Sequence, residues 1–545
     1  MITFKHLTGD FFGGLTAAIV ALPLALAFGV QSGMGAIAGL YGAIALGFFA
    51  ALFGGTSTQV SGPTGPMTVV SALVIAGEIA LHGGSIDAAF GSIIATFVLA
   101  GVFLILMGVF RIGELIRYMP YPVVSGFMSG IGLIIIIMQV FPFFGMNSPG
   151  GINDIFLNVG QIASSFNMQA MILSASTLVI IYLFPMLTKK IPSTLVALIL
   201  VSLVATVMGL QVPIIGDIPN GLPDVHFDTI FDLDWQHLMA IVVPAITLAA
   251  LGAIDSLLTS VVADNMTKTH HNPNKELIGQ GIGNMASGFI GGLPGAGATM
   301  RTVVNINAGG KTNLSGMFHA LVLVVILLGA GAYAKLIPLP VLAGILISVG
   351  IGIIDYKGLK HIMHVPKGDA AVMIVVVTLT VFVDLLQAVG VGLVMAALLF
   401  MKQMSDVVQS KALSKSLKDY HEEHLKDTSQ LPDVIRNKTY IYHFDGPIFF
   451  GFVDYLKKMI KVHTGVEFVI FEMENVPMLD QSGIYAIEEA VLSLEKQGID
   501  IWFVGLKAQP KDMLRKIRLI PELVEEDQCF ETLDNAINAL ATQKI

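Results

Sequence analysis

The chain has 545 residues, 54% of them hydrophobic and only 13% charged, with a mean hydropathy of +0.78. A soluble domain carries about 25% charged residues, so charge this sparse over this length means a polytopic membrane protein. The formal net charge of -9 comes without a basic stripe, which argues against nucleic acid as a partner, and a single cysteine, Cys529, excludes a disulfide framework or a Cys-rich metal site.

The N-terminus runs straight into the first apolar segment and has no A-x-A-like cleavage site, so no removable signal peptide is expected. Up to about Met401 the chain is a string of segments suited to a ~30 Å hydrocarbon core. They fall near 11–32, 35–53, 64–81, 88–109, 120–142, 168–188, 192–210, 238–262, 276–292, 299–308, 313–334, 338–354, 369–385 and 386–402. This predicts an α-helical polytopic domain of about fourteen spans over 1–402. Arg111, Arg117, Lys189, Lys190, Lys268, Lys275, Lys311, Lys357, Lys360 and Lys367 follow even-numbered spans, whereas only Lys335 follows an odd one. By the positive-inside rule the even connections and both termini are cytoplasmic, as in a multi-pass protein of the cell inner membrane surrounded by lipid.

Two Gly/Thr-rich breaks open half-length segments. Gly62-Pro63-Thr64-Gly65-Pro66-Met67-Thr68-Val69-Val70 begins the third span, and Gly295-Ala296-Gly297-Ala298-Thr299-Met300-Arg301-Thr302-Val303-Val304 begins the tenth. Splitting the chain after span seven aligns these two, as a seven-plus-seven inverted repeat would. Broken helices in corresponding positions of two repeats point to a transporter's substrate site. Their N-terminal ends carry free N–H groups and partial positive charge, which favours an anion. Thr64, Thr68, Thr299 and Thr302 offer hydroxyls, although Thr68 and Thr302 are also placed to bond back to their own helices.

Asp255 lies inside the apolar eighth span, with Thr259 one turn on and on the same face. A carboxylate at membrane depth usually lines a substrate or ion path. A carboxylate with hydroxyl and backbone oxygens suits a small hard cation such as sodium, and also a proton. Arg301 is the only arginine within a span and sits in the first turn of the tenth, where the helix dipole disfavours a cation. It needs compensation from Asp255 or from a bound anion, and its planar fork matches bicarbonate or a carboxylate. Glu78 is expected at the outer interface and Asp384 at a helix end. The loop histidines His270, His271, His361 and His364 lack ligand spacing for a metal site.

After Met401 the composition turns polar. Residues 403–437 read as a linker, and 438–545 as a small α/β domain with strands at 439–444, 467–471 and 499–504 and a helix at 484–496.

At this point a resemblance enters. Gly13-Gly14-Leu15-Thr16-Ala17-Ala18 with Ala21-Leu22-Pro23, the stretch Leu251 to Asp264, Asn274 to Asn284 and Gly295 to Gly310 resemble the SulP anion transporters over nearly the whole chain. Pro63-Thr64-Gly65-Pro66-Met67-Thr68 and Gly295-Ala296-Gly297-Ala298-Thr299-Met300 resemble the BicA-type sodium–bicarbonate symporters of that family. The resemblance implies a core-and-gate membrane domain, an elevator motion and a dimer. It also implies sodium and bicarbonate sites lined by Thr64, Asp255, Thr259, Gly297, Ala298 and Thr299, with no other cofactor. Arg301 departs from the BicA-type pattern, which has a small residue there, whereas many other SulP members carry arginine. Two half-helix ends supply about +1, against -1 each from Asp255 and the anion, so either sodium or Arg301 balances the site. Residues 438–545 resemble the family's cytoplasmic STAS domain, through which a homodimer is expected. Leu479-Asp480-Gln481-Ser482-Gly483 matches its strand-to-helix loop, making Ser482 a regulatory candidate or an N-cap.

These readings predict a secondary anion transporter, for bicarbonate with sodium. The alternatives are a proton-coupled carrier of sulfate or dicarboxylates, an anion channel, or a signalling protein whose membrane part only anchors the STAS domain. No nucleophile–base pair or nucleotide loop suggests an enzyme.

Overall fold

The computed structural model describes residues 6–116, 118–149, 152–188, 191–215, 223–227, 235–383, 385–424, 433–460 and 465–542. Arg117, Lys189, Lys190 and Asp384 lie outside them. The chain divides into two compact units, Met1–Ala396 and Ala397–Ile545.

Fourteen helices among the described residues match the fourteen apolar segments. They are α1 (Leu7–Ser32), α2 (Ala36–Phe53), α3 (Gly65–Leu81), α4 (Ile86–Val109), α5 (Tyr121–Met138), α6 (Met168–Leu187), α7 (Ser193–Val207), α8 (Trp235–Thr267), α9 (Pro273–Phe289), α10 (Thr299–Asn307), α11 (Asn313–Ala334), α12 (Leu339–Ile353), α13 (Lys367–Phe382) and α14 (Leu385–Lys411). Seven of the long ones have the length and apolarity to cross a membrane unaided. α3 and α10, third in each set of seven, begin at the two Gly/Thr breaks; α10 is half-length at 9 residues, whereas α3, expected to be half-length too, runs for 17.

The first unit packs as two bundles. One holds α1–α4 with α8–α11, through α4–α9, α2–α9, α1–α11, α2–α11 and α4–α8 contacts. The other holds α5–α7 with α12 and α13, through α5–α13, α5–α12, α6–α7 and α6–α12 contacts. In hydrocarbon, helices associate by close packing of small residues rather than by exclusion of water. Such contacts occur in both bundles. A Cβ on Gly101 of α4 would come within 2.6 Å of the Gly281 carbonyl of α9, and one on Gly132 of α5 within 2.6 Å of the Gly350 carbonyl of α12. The bundles meet where α3 touches α5 and α1 touches α7 and α12. This is the core-and-gate arrangement.

The second unit contains a five-stranded sheet in the order β3-β4-β5-β6-β7, built from Leu413–Ser416, Thr439–Asp445, Phe468–Asn475, Asp500–Val504 and Cys529–Phe530. β3 runs antiparallel to β4 and the other pairs are parallel. Side chains alternate between the two faces, as the two-residue period of a strand requires. Tyr442, Phe444, Val469, Phe471, Ile501 and Phe503 join one core with Ile484, Ile487 and Val491 of the helix Gln481–Glu495. Ile441, Phe468, Ile470, Trp502 and Val504 join a second core with Ile537 and Leu540 of the C-terminal helix Leu533–Thr542.

The expected 403–437 linker is only partly a linker. α14 continues to Lys411, Val408 and Ala412 join the first of these cores, and Leu413–Ser416 is the edge strand β3. An edge strand has one partner and tolerates polar residues, so its composition did not distinguish it from a loop.

Behind β3, the helix Leu417–His424 is tied to the sheet. Glu472 on β5 accepts from the Tyr420 hydroxyl at 2.8 Å and lies 2.9 Å from Nδ1 of His443 on β4. The hydrogen bond to Glu472 raises the His443 pKa, partly opposed by burial. A histidine raised on folding stabilises fully below its unfolded value of about 6.5, and that stabilisation is lost as pH rises through the folded value. Amide exchange across Leu417–His424, corrected for intrinsic rate, is expected to speed up as pH rises above about 6.5. In His443→Gln this pH dependence should flatten. An equally steep profile in that variant would rule the histidine out.

Candidate functional site

The two breaks meet as a short antiparallel ladder. β1 (Ser61–Gly62) pairs with β2 (Ala296–Gly297), placing Ser61 opposite Gly297 and Gly62 opposite Ala296. Ala298 N–H donates to the Val60 carbonyl at 2.9 Å. Asn284 of α9 clamps the peptide of Gly295 from both sides, accepting from its N–H at 2.8 Å and donating to its carbonyl at 3.1 Å. Only glycine fits there, because a Cβ on Gly295 would lie 2.1 Å from the Gly62 oxygen. The ladder brings the N-terminal ends of α3 and α10 together. Neither has a side-chain cap: Thr64 and Ala298 occupy the cap positions without one. Two uncapped helix N-termini aimed at one place favour an anion.

α8 supplies the oxygens. Thr259 donates to the Gly297 carbonyl at 2.8 Å and its hydroxyl lies 2.7 Å from that of Thr299. Ser256 accepts from Gly297 N–H at 3.1 Å. Asp255 is 8% exposed and its carboxyl faces the buried Thr64 hydroxyl, with neither Oδ2 nor that hydroxyl closing a hydrogen bond of normal length. Buried polar atoms of this kind are normally satisfied, so a water or a bound ion would complete them. The fold thus brings Thr64, Asp255, Thr259, Gly297, Ala298 and Thr299 together. A cavity of about 350 Å³ opens between the two bundles, lined among others by Gln31 and Ser32 of α1, Ala72 and Ala76 of α3, Met138 of α5 and Leu346 of α12.

Other expectations change. Arg301 is 1% exposed and donates from Nη2 to the Pro63 carbonyl at 3.0 Å. Its Nη1 lies against Gly62, where a Cβ would come within 2.2 Å of it. No ion pair joins it to Asp255 among the described residues. Its side chain runs along β1 instead, so it does not neutralise Asp255 by contact. Thr68 bonds back to the Thr64 carbonyl at 2.7 Å, whereas Thr302 accepts from Val60 N–H at 3.1 Å and braces the ladder. Glu78 is 7% exposed and sits in the last turn of α3. In the second unit Asp480, not Ser482, caps the helix Gln481–Glu495, accepting from Gly483 N–H at 2.7 Å. Ser482 is exposed in that helix's first turn.

A polar network behind the ladder went unread. Glu276 of α9 is 1% exposed. It accepts from Gly55 and Thr56 N–H and from the side-chain amides of Gln59 and Gln280, each at 2.8 Å. Gln280 also donates to the Ser61 hydroxyl at 2.7 Å, and Ser260 to Gln59 at 2.9 Å. The signal was present: Glu276, Gln280 and Asn284 recur every fourth residue, a polar stripe on one helix face.

Comparison with known proteins agrees with this architecture. Residues 7–376 match the sulfate permease family and residues 430–536 the STAS domain. The chain is 43% identical over 551 residues to the bicarbonate transporter BicA of Synechocystis sp., covering 99% of this chain and 96% of that one. It is 40% identical over 548 residues to the bicarbonate transporter BicA of Picosynechococcus sp., covering 98% and 96%. The structure of the transmembrane domain of a cyanobacterium bicarbonate transporter BicA superimposes with a TM-score of 0.66 at 48% identity, over 71% of this chain and 98% of that one. The chain therefore belongs to the sulfate permease family: it is a multi-pass anion transporter, not an enzyme, with a C-terminal STAS domain.

Proposed function

We propose that the protein carries bicarbonate into the cell together with sodium. The observation that carries this reading is the buried Asp255 carboxylate and Thr64 hydroxyl, facing each other without a hydrogen bond of normal length where the uncapped N-termini of α3 and α10 converge. The helix ends hold the anion. Asp255, Thr64 and Thr259 supply oxygens for a hard cation, and sodium's charge offsets that of the carboxylate. The names of the two BicA relatives support bicarbonate as the anion. The site moves with the α1–α4 and α8–α11 bundle against the other, an elevator stroke in which Gly65 slides past Ile135 of α5 and Ile353 of α12. The protein sits in the inner membrane with both termini in the cytoplasm, as a dimer held through the STAS domain.

The test is uptake of labelled bicarbonate by proteoliposomes, with sulfate and a dicarboxylate as competing anions. Sodium is supplied in one arm and a proton gradient alone in the other. Saturable bicarbonate uptake driven by inward sodium is expected, and counterflow should be observed. Proton-driven sulfate or dicarboxylate uptake would replace this reading, and an unsaturable anion conductance would make the protein a channel.

A further inference from the structure

We propose that Glu276 sets the sodium requirement of the transport site, by offsetting the charge of Arg301. The proposal rests on the sodium-coupled reading above. Charge counting without Glu276 leaves a paradox. Two helix ends and Arg301 together supply about +2, Asp255 and a bound monovalent anion about -2, and sodium has no place in the sum. The fold supplies the missing charge.

Glu276 is ionised on the evidence of its partners. The Gly55 and Thr56 amides on Oε2, and the Gln59 and Gln280 amides on Oε1, are all N–H donors. A protonated acid needs an acceptor for its own proton, so a shell of four N–H donors selects the carboxylate.

Its position ties it to the same strand as Arg301. Gln280, bonded to Glu276, donates to Ser61, and the next residue, Gly62, lies against Arg301 Nη1. On the other side Gln59, also bonded to Glu276, stands under Gly297, where a Cβ would come within 2.1 Å of its amide nitrogen. Each of these side chains connects one of the two charges to a strand of the ladder that carries the site. With Glu276 counted, the empty site sums to about zero and the anion brings it to about -1, which a sodium ion beside Asp255 returns to neutrality. Glu276 touches neither ion and acts through its charge.

The experiment measures bicarbonate uptake by the full chain in proteoliposomes across a sodium titration. It compares the wild type with Glu276→Gln, Glu276→Asp, Arg301→Gln and the double variant Glu276→Gln/Arg301→Gln. In Glu276→Gln the sodium-free fraction of uptake should rise about tenfold, the scale of one uncompensated unit charge acting through a protein interior. Glu276→Asp keeps the charge and should keep the sodium requirement. The double variant restores the charge sum and should again need sodium, a recovery that a purely structural role for Glu276 does not produce. If Glu276→Gln does not assemble, Arg301→Gln reads the balance from the other side, with half-saturation at about tenfold less sodium. An unchanged sodium titration in both single variants, with the wild type sodium-dependent, overturns the proposal. A wild type indifferent to sodium overturns the coupled reading and this proposal with it.

Discussion

Asp255→Asn is expected to reduce sodium-driven uptake by roughly a hundredfold or more while the protein still inserts and folds. Removing one member of a buried charge pair costs ~3 kcal/mol or more, and each ~1.4 kcal/mol is a factor of ten in affinity. On the proposed function, the pair at stake is the carboxylate and a sodium ion. Asparagine has nearly the same shape and keeps an oxygen to face the Thr64 hydroxyl. The helix around it is unaffected, since Thr259 and Ser256 hold the ladder through their own bonds to Gly297. The measurement is uptake at a sodium concentration below half-saturation for the wild type, normalised to correctly inserted protein. A well-inserted variant with sodium-driven uptake near that of the wild type would show that Asp255 does not hold the cation.

What the sequence disclosed follows from which forces are local. Hydropathy runs placed the helices closely: 35–53 against Ala36–Phe53, 192–210 against Ser193–Val207. The last span was read to 402, yet α14 runs to Lys411. Hydropathy marks the edge of the hydrocarbon, not the end of hydrogen bonding, and Lys402–Lys411 contains no Gly or Pro to stop a helix. Asp255 and Thr259 were legible because a four-residue spacing fixes a shared face. The direction of Arg301 was not, because it depends on where β1 lies beside α10, a contact between residues 238 apart in the chain. Glu276 lies within the Asn274–Asn284 stretch that carries the family resemblance, and its four-residue stripe with Gln280 and Asn284 is the physical clue to its place.

Gly295→Ala is expected to abolish transport by breaking the crossing on which the site is built. The new methyl group would lie 2.1 Å from the Gly62 oxygen, 2.3 Å from its carbonyl carbon and 2.7 Å from Pro63 N. All three are backbone atoms of the neighbouring strand, so no rotamer change relieves the clash and the strands must separate. Separation costs the β1–β2 pairing, strains the bonds from Asn284, and moves the ends of α3 and α10 apart. Overpacking of a buried contact costs ~1–3 kcal/mol, and a contact with backbone that cannot yield lies at the upper end. Gly65→Ala is the control. Its methyl would meet only Cδ1 of Ile135 at 2.7 Å and Cδ1 of Ile353 at 2.9 Å, the ends of flexible side chains on the facing bundle. That variant should fold and keep its affinity for the anion, with turnover reduced by friction against the gate. Thermal unfolding in detergent, together with uptake, separates the two cases. Gly295→Ala should unfold at a clearly lower temperature and show no saturable uptake, and Gly65→Ala should do neither. Wild-type uptake by Gly295→Ala would mean that the close strand crossing is not needed for the site.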